Sequence, residues 1–286
     1  MTLAERLRLP TLRFRIPALE RIRGGHFIAG LMIVVVWLLV MATIPFWAPY
    51  DPVSLAGRRL SPPSAQFWFG TDALGRDVFT RTLYGVRQSL PIAILVLAVS
   101  VSVGCLLGAI AGFKRGWIGE AIMRLVDLTL SFPPILLAMA VAASLGSGLG
   151  NAAIAMIIVW WPIYTRLMYA QVMSVREREH VEAAVAAGAP PSRILIKHII
   201  PLCWSPVIVN ATMDVGQIIL LAASLSFIGL GAVPPTPEWG QMIYEGTTFF
   251  YNWWVAAGPG LAILSLVLGF NFLGDGIRDA LDVRDA

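Results

Sequence analysis

Very few residues in this chain could carry out covalent chemistry. No Gly-x-x-x-x-Gly-Lys-Ser/Thr loop occurs, and Lys114 and Lys197, the two lysines, follow no glycine-rich turn. ATP hydrolysis by this chain is therefore not expected. His26, His180 and His198 are scattered, without HExxH or paired spacing, and no GxSxG elbow is present. Cys105 and Cys203 have no metal-ligand spacing and read as small apolar packing residues. No metal site and no enzyme reading emerge. The exception is Asp214, a single charge in the run Ile199 to Pro237, roughly mid-membrane if that run crosses a bilayer. A charge there is costly, so it could line a path, together with Asn210, or take up a proton. The alternative is a neutral or hydrogen-bonded Asp at a helix–helix contact near Asn210 and Thr212. Both readings stay open.

A second group of residues could do mechanical work. From Arg176 to Pro201 the chain reads REREHVEAAVAAGAPPSRILIKHIIP, a polar island between apolar runs. Read as a helix, Val181, Ala184, Val185 and Gly188 fall at i, i+3, i+4 and i+7 and make one small-residue stripe. Arg178 and Glu182 sit at i, i+4 beside it, with Ala183 next to Glu182. Gly188 suits the left-handed residue that ends a helix, and Pro190-Pro191, followed by Arg193, suit the opening of another. The spacing predicts a short helix, a sharp turn and a second short helix. One face is small enough to press into a groove on another protein.

The elements that must hold these residues are apolar helices. Of the 286 residues 57% are hydrophobic and 13% charged, and the mean hydropathy is +0.75, which places the chain in the membrane class. A span needs about 20 apolar residues. Phe27 to Tyr50, Gln88 to Phe113, Leu128 to Thr165 (divided by a turn at Gly146 to Asn151) and Gly246 to Gly274 are free of charge, and Ile199 to Pro237 carries Asp214 alone. Six spans follow: Phe27 to Tyr50, about Ser89 to Phe113, Ile122 to Leu145, Ala152 to Tyr169, Pro201 to Leu230 and Trp254 to Leu273. The fold class is all-α, a six-span bundle. Its parts are a basic tail over 1–26, a transmembrane domain over 27–274 and a tail over 275–286. Within the domain lie an outer loop over about 48–87, a cytoplasmic loop over about 170–200 and a second outer loop over about 231–252. The first outer loop is expected to turn helical from Phe69, with Thr71 or Asp72 as N-cap. Prolines 133, 134, 162, 206 and 259 in or near spans fit a bundle that moves. The first apolar run is too long for a signal-peptide core and is expected to remain as an anchor.

Orientation follows the basic residues. With the first tail inside, 16 of the 21 Lys and Arg lie on the cytoplasmic side, and Arg58, Arg59, Arg76, Arg81 and Arg87 stay in one outer loop. Both termini and the island are then cytoplasmic. The bias accounts for the net charge of +4. No basic stripe is interleaved with aromatics, so nucleic acid is not an expected partner; the lipid bilayer is.

Longer motifs carry a resemblance. Glu182-Ala183-Ala184, Gly188 and Ile199-Ile200-Pro201 resemble the "EAA" loop of importer-type ABC permeases. Three stretches are similar to the peptide/nickel branch of that family and to its "C"-type subunit: Phe69-Gly-Thr-Asp-Ala-Leu-Gly-Arg-Asp-Val with Gly85-Val-Arg-Gln-Ser-Leu, then Ser224-Leu-Ser-Phe-Ile-Gly-Leu-Gly with Pro234-Pro-Thr-Pro-Glu-Trp-Gly, then Phe270 to Asp282. After Asp282 the chain reads Val-Arg where the family usually has Pro and a basic residue. The likeness runs from about Phe27 to the C-terminus. It implies a permease subunit of a bacterial inner-membrane, binding-protein-dependent importer for peptides or a related solute such as a nickel chelate or glutathione. It implies a second homologous permease, two ATPase subunits that bind ATP and Mg, and an outer substrate-binding protein, with no cofactor in this chain. It also implies that Arg178, Glu182, Ala183, Ala184, Val185, Gly188 and Arg193 couple to an ATPase. The rival is a self-sufficient secondary transporter with Asp214 as proton site, which six spans without an internal repeat fit poorly. A membrane scaffold would leave Asp214 and the kinking prolines unexplained.

Overall fold

The computed structural model describes residues 25–114 and 116–281. Most of the expected N-terminal tail, Arg115, the last five residues and thus Arg284 lie outside the described residues. The helices are α1 (Gly25–Trp47), α2 (Val78–Phe113), α3 (Trp117–Leu130), α4 (Pro134–Leu145), α5 (Leu149–Arg176), α6 (Glu179–Ala186) and α7 (Pro191–Arg193). After α7 come a π-helical segment (Ile194–Ile199), α8 (Ile200–Phe227), α9 (Trp239–Thr248) and α10 (Trp254–Leu281). Among the described residues the only β pairing outside a helix is the bridge between Thr71 and Asp77. This is the all-helical membrane fold expected.

Five segments are long and apolar enough to cross a bilayer, and α3 with α4 makes a sixth only as a pair bent by 91°. The third span expected over Ile122 to Leu145, with Pro133 and Pro134 as potential kinks, is thus two helices meeting at a sharp break. Pro133 and Pro134 cause the break, since Pro134 has no N–H for the carbonyl of Leu130 and a proline ring crowds the preceding turn. Other spans outrun their sequence limits: α2 begins at Val78 rather than Ser89, α5 reaches Arg176, and α10 reaches Leu281.

The central contact is α2 against α5, and it is made of absent side chains. A Cβ on Gly104 would lie 2.6 Å from the Trp161 carbonyl, on Gly108 2.4 Å from the Thr165 carbonyl, and on Gly112 2.9 Å from Val172 Cβ. These glycines recur every fourth residue and form a groove along one helix face. In lipid, where apolar surface alone drives no association, such close backbone approach is what holds helices together. α1 leans on α10 in the same way: a Cβ on Gly30 would meet the Gly269 carbonyl at 2.7 Å.

One end of the bundle is closed by residues 48–77 and 231–253 (the cap end); the other carries the 177–190 loop (the loop end). The cap is not helical from Phe69 as expected. Gly70 (φ 67°) and Gly75 (φ 79°) break the helical path, and Thr71 and Asp72 are not N-caps. Asp77 is the N-cap of α2, its Oδ2 accepting from the Thr80 amide at 2.8 Å. Asp72 is buried, with Oδ1 accepting from the Leu74 and Arg76 amides and Oδ2 from Arg76 Nε at 2.6 Å. Arg76 also reaches Glu245 at 3.2 Å, Arg81 stands 3.4 Å from Asp72, and Arg81 Nη1 donates to the Pro52 carbonyl. Two of the five arginines that break the charge bias are thus spent inside the cap. Burial pushes the Asp77 carboxyl above its usual value, with the Thr80 hydrogen bonds opposing.

Within the second loop, α9 enters the bundle headed by Trp239, which is fully buried and donates to the Thr82 carbonyl at 2.8 Å. Glu238 caps α9 by accepting from the Gln241 amide at 3.0 Å, and burial raises its pKa against the pull of those hydrogen bonds.

Gly108→Val is expected to prevent accumulation of folded chain in membranes, since overpacking against backbone costs about 1–3 kcal/mol or more. Gly150→Ala, on α5 with nothing near its added Cβ, is expected to leave the yield unchanged. Fluorescence-detected gel filtration of the two detergent extracts checks both.

Candidate functional site

The polar island has the predicted shape at its start. α6 ends in a Schellman turn: the Gly188 amide donates to the Val185 carbonyl at 2.9 Å and the Ala189 amide to the Ala184 carbonyl at 3.1 Å. Gly188 takes φ 76°, as the sequence required. Arg178 lies at the N-cap in extended backbone, its carbonyl accepting from the Val181 and Glu182 amides. Pro191 opens α7, with the Arg193 amide donating to the Pro190 carbonyl.

Two details differ from expectation. The small-residue stripe is split between two sides: Val181 is 2% exposed and packs inward with Ala184 half-buried beside it, while Val185 and Gly188 are exposed. The outward residues are Glu182, Ala183, Val185, Ala186 and Gly188, with Arg193 exposed beyond the turn. The second short helix is also not separate. From Pro191 to Phe227 the chain is one helical unit of 37 residues, with a π-helical segment where Pro201 has no N–H to offer the preceding turn. There the Ile200 amide donates to the Leu195 carbonyl, one residue further back than in an α-helix.

A groove of about 640 Å³ runs beside the loop, lined by Phe113, Arg176, Val181, Glu182, Val185 and Ile194 among others. Arg176 Nη1 donates to the Gly112 and Phe113 carbonyls at 3.2 and 3.4 Å, placing a cation on the carbonyl end of α2. The sequence offered Arg176 only as one of many basic residues. Its tie fixes the end of α5, and so the start of the loop, to α2.

Asp214 sits elsewhere, at a helix–helix contact. Tyr164 Oη donates to its Oδ2 at 2.7 Å and Trp160 Nε1 to the same oxygen at 3.1 Å, both from α5. Tyr164 is fully buried and Trp160 nearly so. The neighbours expected for Asp214 are corrected: Asn210 Nδ2 donates to the Pro206 carbonyl and Thr212 Oγ1 to the Ile208 carbonyl, both on their own helix. Asn210 instead lines a recess of about 360 Å³ with Ser205, Met213 and Arg278. Trp160 and Tyr164, one turn apart and each with a polar tip, were the legible signal for Asp214's partners, and the sequence reading passed over them.

With this geometry in place, comparison with known proteins identifies the class. Residues 104–284 match the family described as binding-protein-dependent transport system inner membrane component. The dipeptide transport system permease protein DppC of Alkalihalophilus pseudofirmus is 44% identical over 263 residues, covering 90% of this chain and 85% of that protein. A probable D,D-dipeptide transport system permease protein, DdpC, of Escherichia coli K12 is 44% identical over 259 residues, covering 90% and 87%. The glutathione transport system permease protein GsiD of Pectobacterium atrosepticum is 42% identical over 255 residues, covering 87% and 85%. Among solved structures, the MetNI methionine ABC transporter in an inward-facing conformation matches with a TM-score of 0.59 at 20% identity, covering 70% of this chain and 96% of that one; that likeness bears on the fold. The chain belongs to the family of binding-protein-dependent transport system inner membrane components, and within it is a permease of the bacterial inner membrane.

Asp214→Asn keeps an oxygen that can accept from Tyr164 and Trp160, so transport by the assembled system is expected to continue at near wild-type rate. Asp214→Leu strands both buried donors and is expected to lower stability by about 1–3 kcal/mol for each. Melting temperature and uptake, measured on both variants, separate a hydrogen-bond acceptor from a proton carrier, because a carrier would fail in the Asn variant as well.

Proposed function

We propose that this chain is a non-catalytic translocation subunit of an ATP-driven importer whose cargo is a short peptide or a peptide-like solute such as glutathione. The named relatives support the cargo class: two handle dipeptides and one glutathione. In this reading the chain pairs with a second, homologous permease, two ATPase subunits hold ATP and Mg, and an outer binding protein delivers the solute. The loop end and both termini face the cytoplasm, following the basic-residue bias, and the cap end faces outward. The rival, a self-sufficient carrier working through Asp214, is set aside, because the family is defined by binding-protein-dependent systems.

The observation that carries the reading is the loop's continuity with a span. α6 offers Glu182, Ala183, Val185 and Ala186 outward, and the chain beyond its turn runs as one helical unit from Pro191 to Phe227. In the proposed mechanism α6 docks in a groove on an ATPase, with Glu182 making a charge-assisted contact and the alanines allowing close approach. Arg178 and Arg193 flank the contact at its two ends. Closure of the ATPases on ATP displaces α6, and the attached α7–α8 unit tilts with it. The π-helical segment is the place where that unit bends most readily. ATP and solute then bias one two-state equilibrium, each by its differential affinity for the two states.

Glu182→Lys is expected to reduce solute-stimulated ATP hydrolysis by tenfold or more, from the ~1.5–3 kcal/mol of a hydrogen bond to a charged group. Gly188→Val forces a β-branched residue into φ 76° and is expected to do the same by distorting the loop. Both chains should still insert in membranes. Co-purification of each with its ATPase, beside ATPase and uptake assays in proteoliposomes, is the check. Normal transport by both variants would remove the coupling assignment, and recovery of the wild-type chain without any ATPase would remove the importer reading.

A further inference from the structure

We propose that Asp127 and Arg166 line a water-filled mouth of the transport path near the loop end, and that they receive the two termini of a zwitterionic solute there, its carboxylate on Arg166 and its ammonium group on Asp127. The choice of solute rests on the peptide reading above; the placement of water does not.

Arg166 Nη2 donates to Asp127 Oδ1, joining α5 to α3, and the two side chains are 51% and 57% exposed. Arg166 lies two residues along α5 from Tyr164, the partner of Asp214, and about 15 Å from the end of α5 at Arg176 at ~1.5 Å per residue. It falls inside the span expected over Ala152 to Tyr169, near the loop end of that span. On α5 it shares an outward stripe with Ile154, Ile158 and Ala170. An exposed ion pair adds little stability, so holding the bundle together does not account for two charges here. Facing hydrocarbon they would be strongly disfavoured. Water or a polar partner surface must lie in front of them.

The backbone points the same way, independently of the charges. Asp127 stands one turn before the 91° break between α3 and α4, where Ser131, Phe132 and Pro133 are all exposed. Interrupted helix at membrane depth is tolerated only where protein covers it or water fills a cavity. The break and the ion pair occupy neighbouring positions on the same side, so one aqueous recess accounts for both. Thr129 and Ser131 satisfy their hydroxyls on carbonyls of α3 itself, and of the exposed charges on α3, Glu120, Arg124 and Asp127, Asp127 stands nearest the break. A guanidinium can take a carboxylate through two parallel N–H donors, and a free Asp carboxylate can take an ammonium group. A solute with both ends charged can therefore exchange for the intramolecular pair without stranding either charge. When the solute leaves, the pair closes on itself again.

The test uses the complete complex in nanodiscs, where both faces meet buffer, with the buried Cys105 and Cys203 replaced by Ala. Arg166→Cys, Asp127→Cys and Ser131→Cys are treated with a charged methanethiosulfonate reagent, beside Leu55→Cys at the exposed cap end. Both charge positions are expected to label, and saturating dialanine with ATP turning over is expected to slow labelling of Ser131→Cys, in which both charges are intact, about tenfold. In proteoliposomes Arg166→Gln is expected to cut dialanine uptake about tenfold, and Arg166→Lys to restore most of it. No labelling at either position while Leu55→Cys reacts would overturn the aqueous mouth. Labelling with wild-type uptake kinetics in Arg166→Gln would overturn the solute contact. If the wild-type complex carries no peptide although both cysteines label, the peptide reading and the solute contact fall together and the aqueous mouth stands.

Discussion

The bundle depends on the backbone approach of α2 to α5. Gly104, Gly108 and Gly112 put carbonyls and Cβ atoms of α5 where side chains would otherwise stand. In a bilayer the lipid tails are as apolar as any leucine, so burial gives little reason for two helices to prefer each other to lipid. Close packing supplies the reason, and it is available only where one helix has no side chain. Once α5 is seated, its other features take position: Trp160 and Tyr164 reach Asp214 on α8, Arg166 reaches Asp127 on α3, and Arg176 reaches the end of α2.

Charge is distributed over the molecule by the same economy. In the cap, Asp72, Arg76, Arg81 and Glu245 are grouped so that buried charges meet partners, as a low-dielectric setting demands. Along the spans, Asp214 is satisfied by two donors. At the loop end Arg176 is tied to the carbonyls of Gly112 and Phe113, while Glu182 and Arg193 are exposed. A polar surface that must slide, dock or release is kept exposed, and a polar group that must stay put is tied down.

In the proposed mechanism the loop transmits movement, which needs a stiff connection to what it moves. α6 ends at a turn with defined hydrogen bonds, and Pro191 starts a helix that reaches Phe227 with only a π-helical segment inside it. Val181 and Ala184 anchor α6 inward while Glu182, Val185 and Ala186 remain available to a partner. Of the stripe read from helical spacing, Val181 and Ala184 hold the loop to its own protein, while Val185 and Gly188 stay exposed. Periodicity identifies which residues share a side; it does not say which neighbour that side meets.

The sequence by itself determined the all-helical membrane class, five of the six spans to within a few turns, the turn at Gly188 and the family. These follow from local physics: runs of apolar residues long enough to cross a bilayer, a glycine where only a positive φ closes a helix, and long contiguous motifs. Tertiary structure decided the rest. The cap region after Phe69 looked helical because its composition permits a helix, and it folds otherwise because Asp72 gains more from Arg76, Arg81 and its own turn. Glycines 104, 108 and 112 were visible as letters, but their use required knowing which helix lies opposite. Asp214 was conspicuous alone and became explicable only with Trp160 and Tyr164, more than fifty positions away in the chain for the first and fifty for the second. Interactions between distant segments leave no mark in the spacing of either, so only the packed structure assigns them.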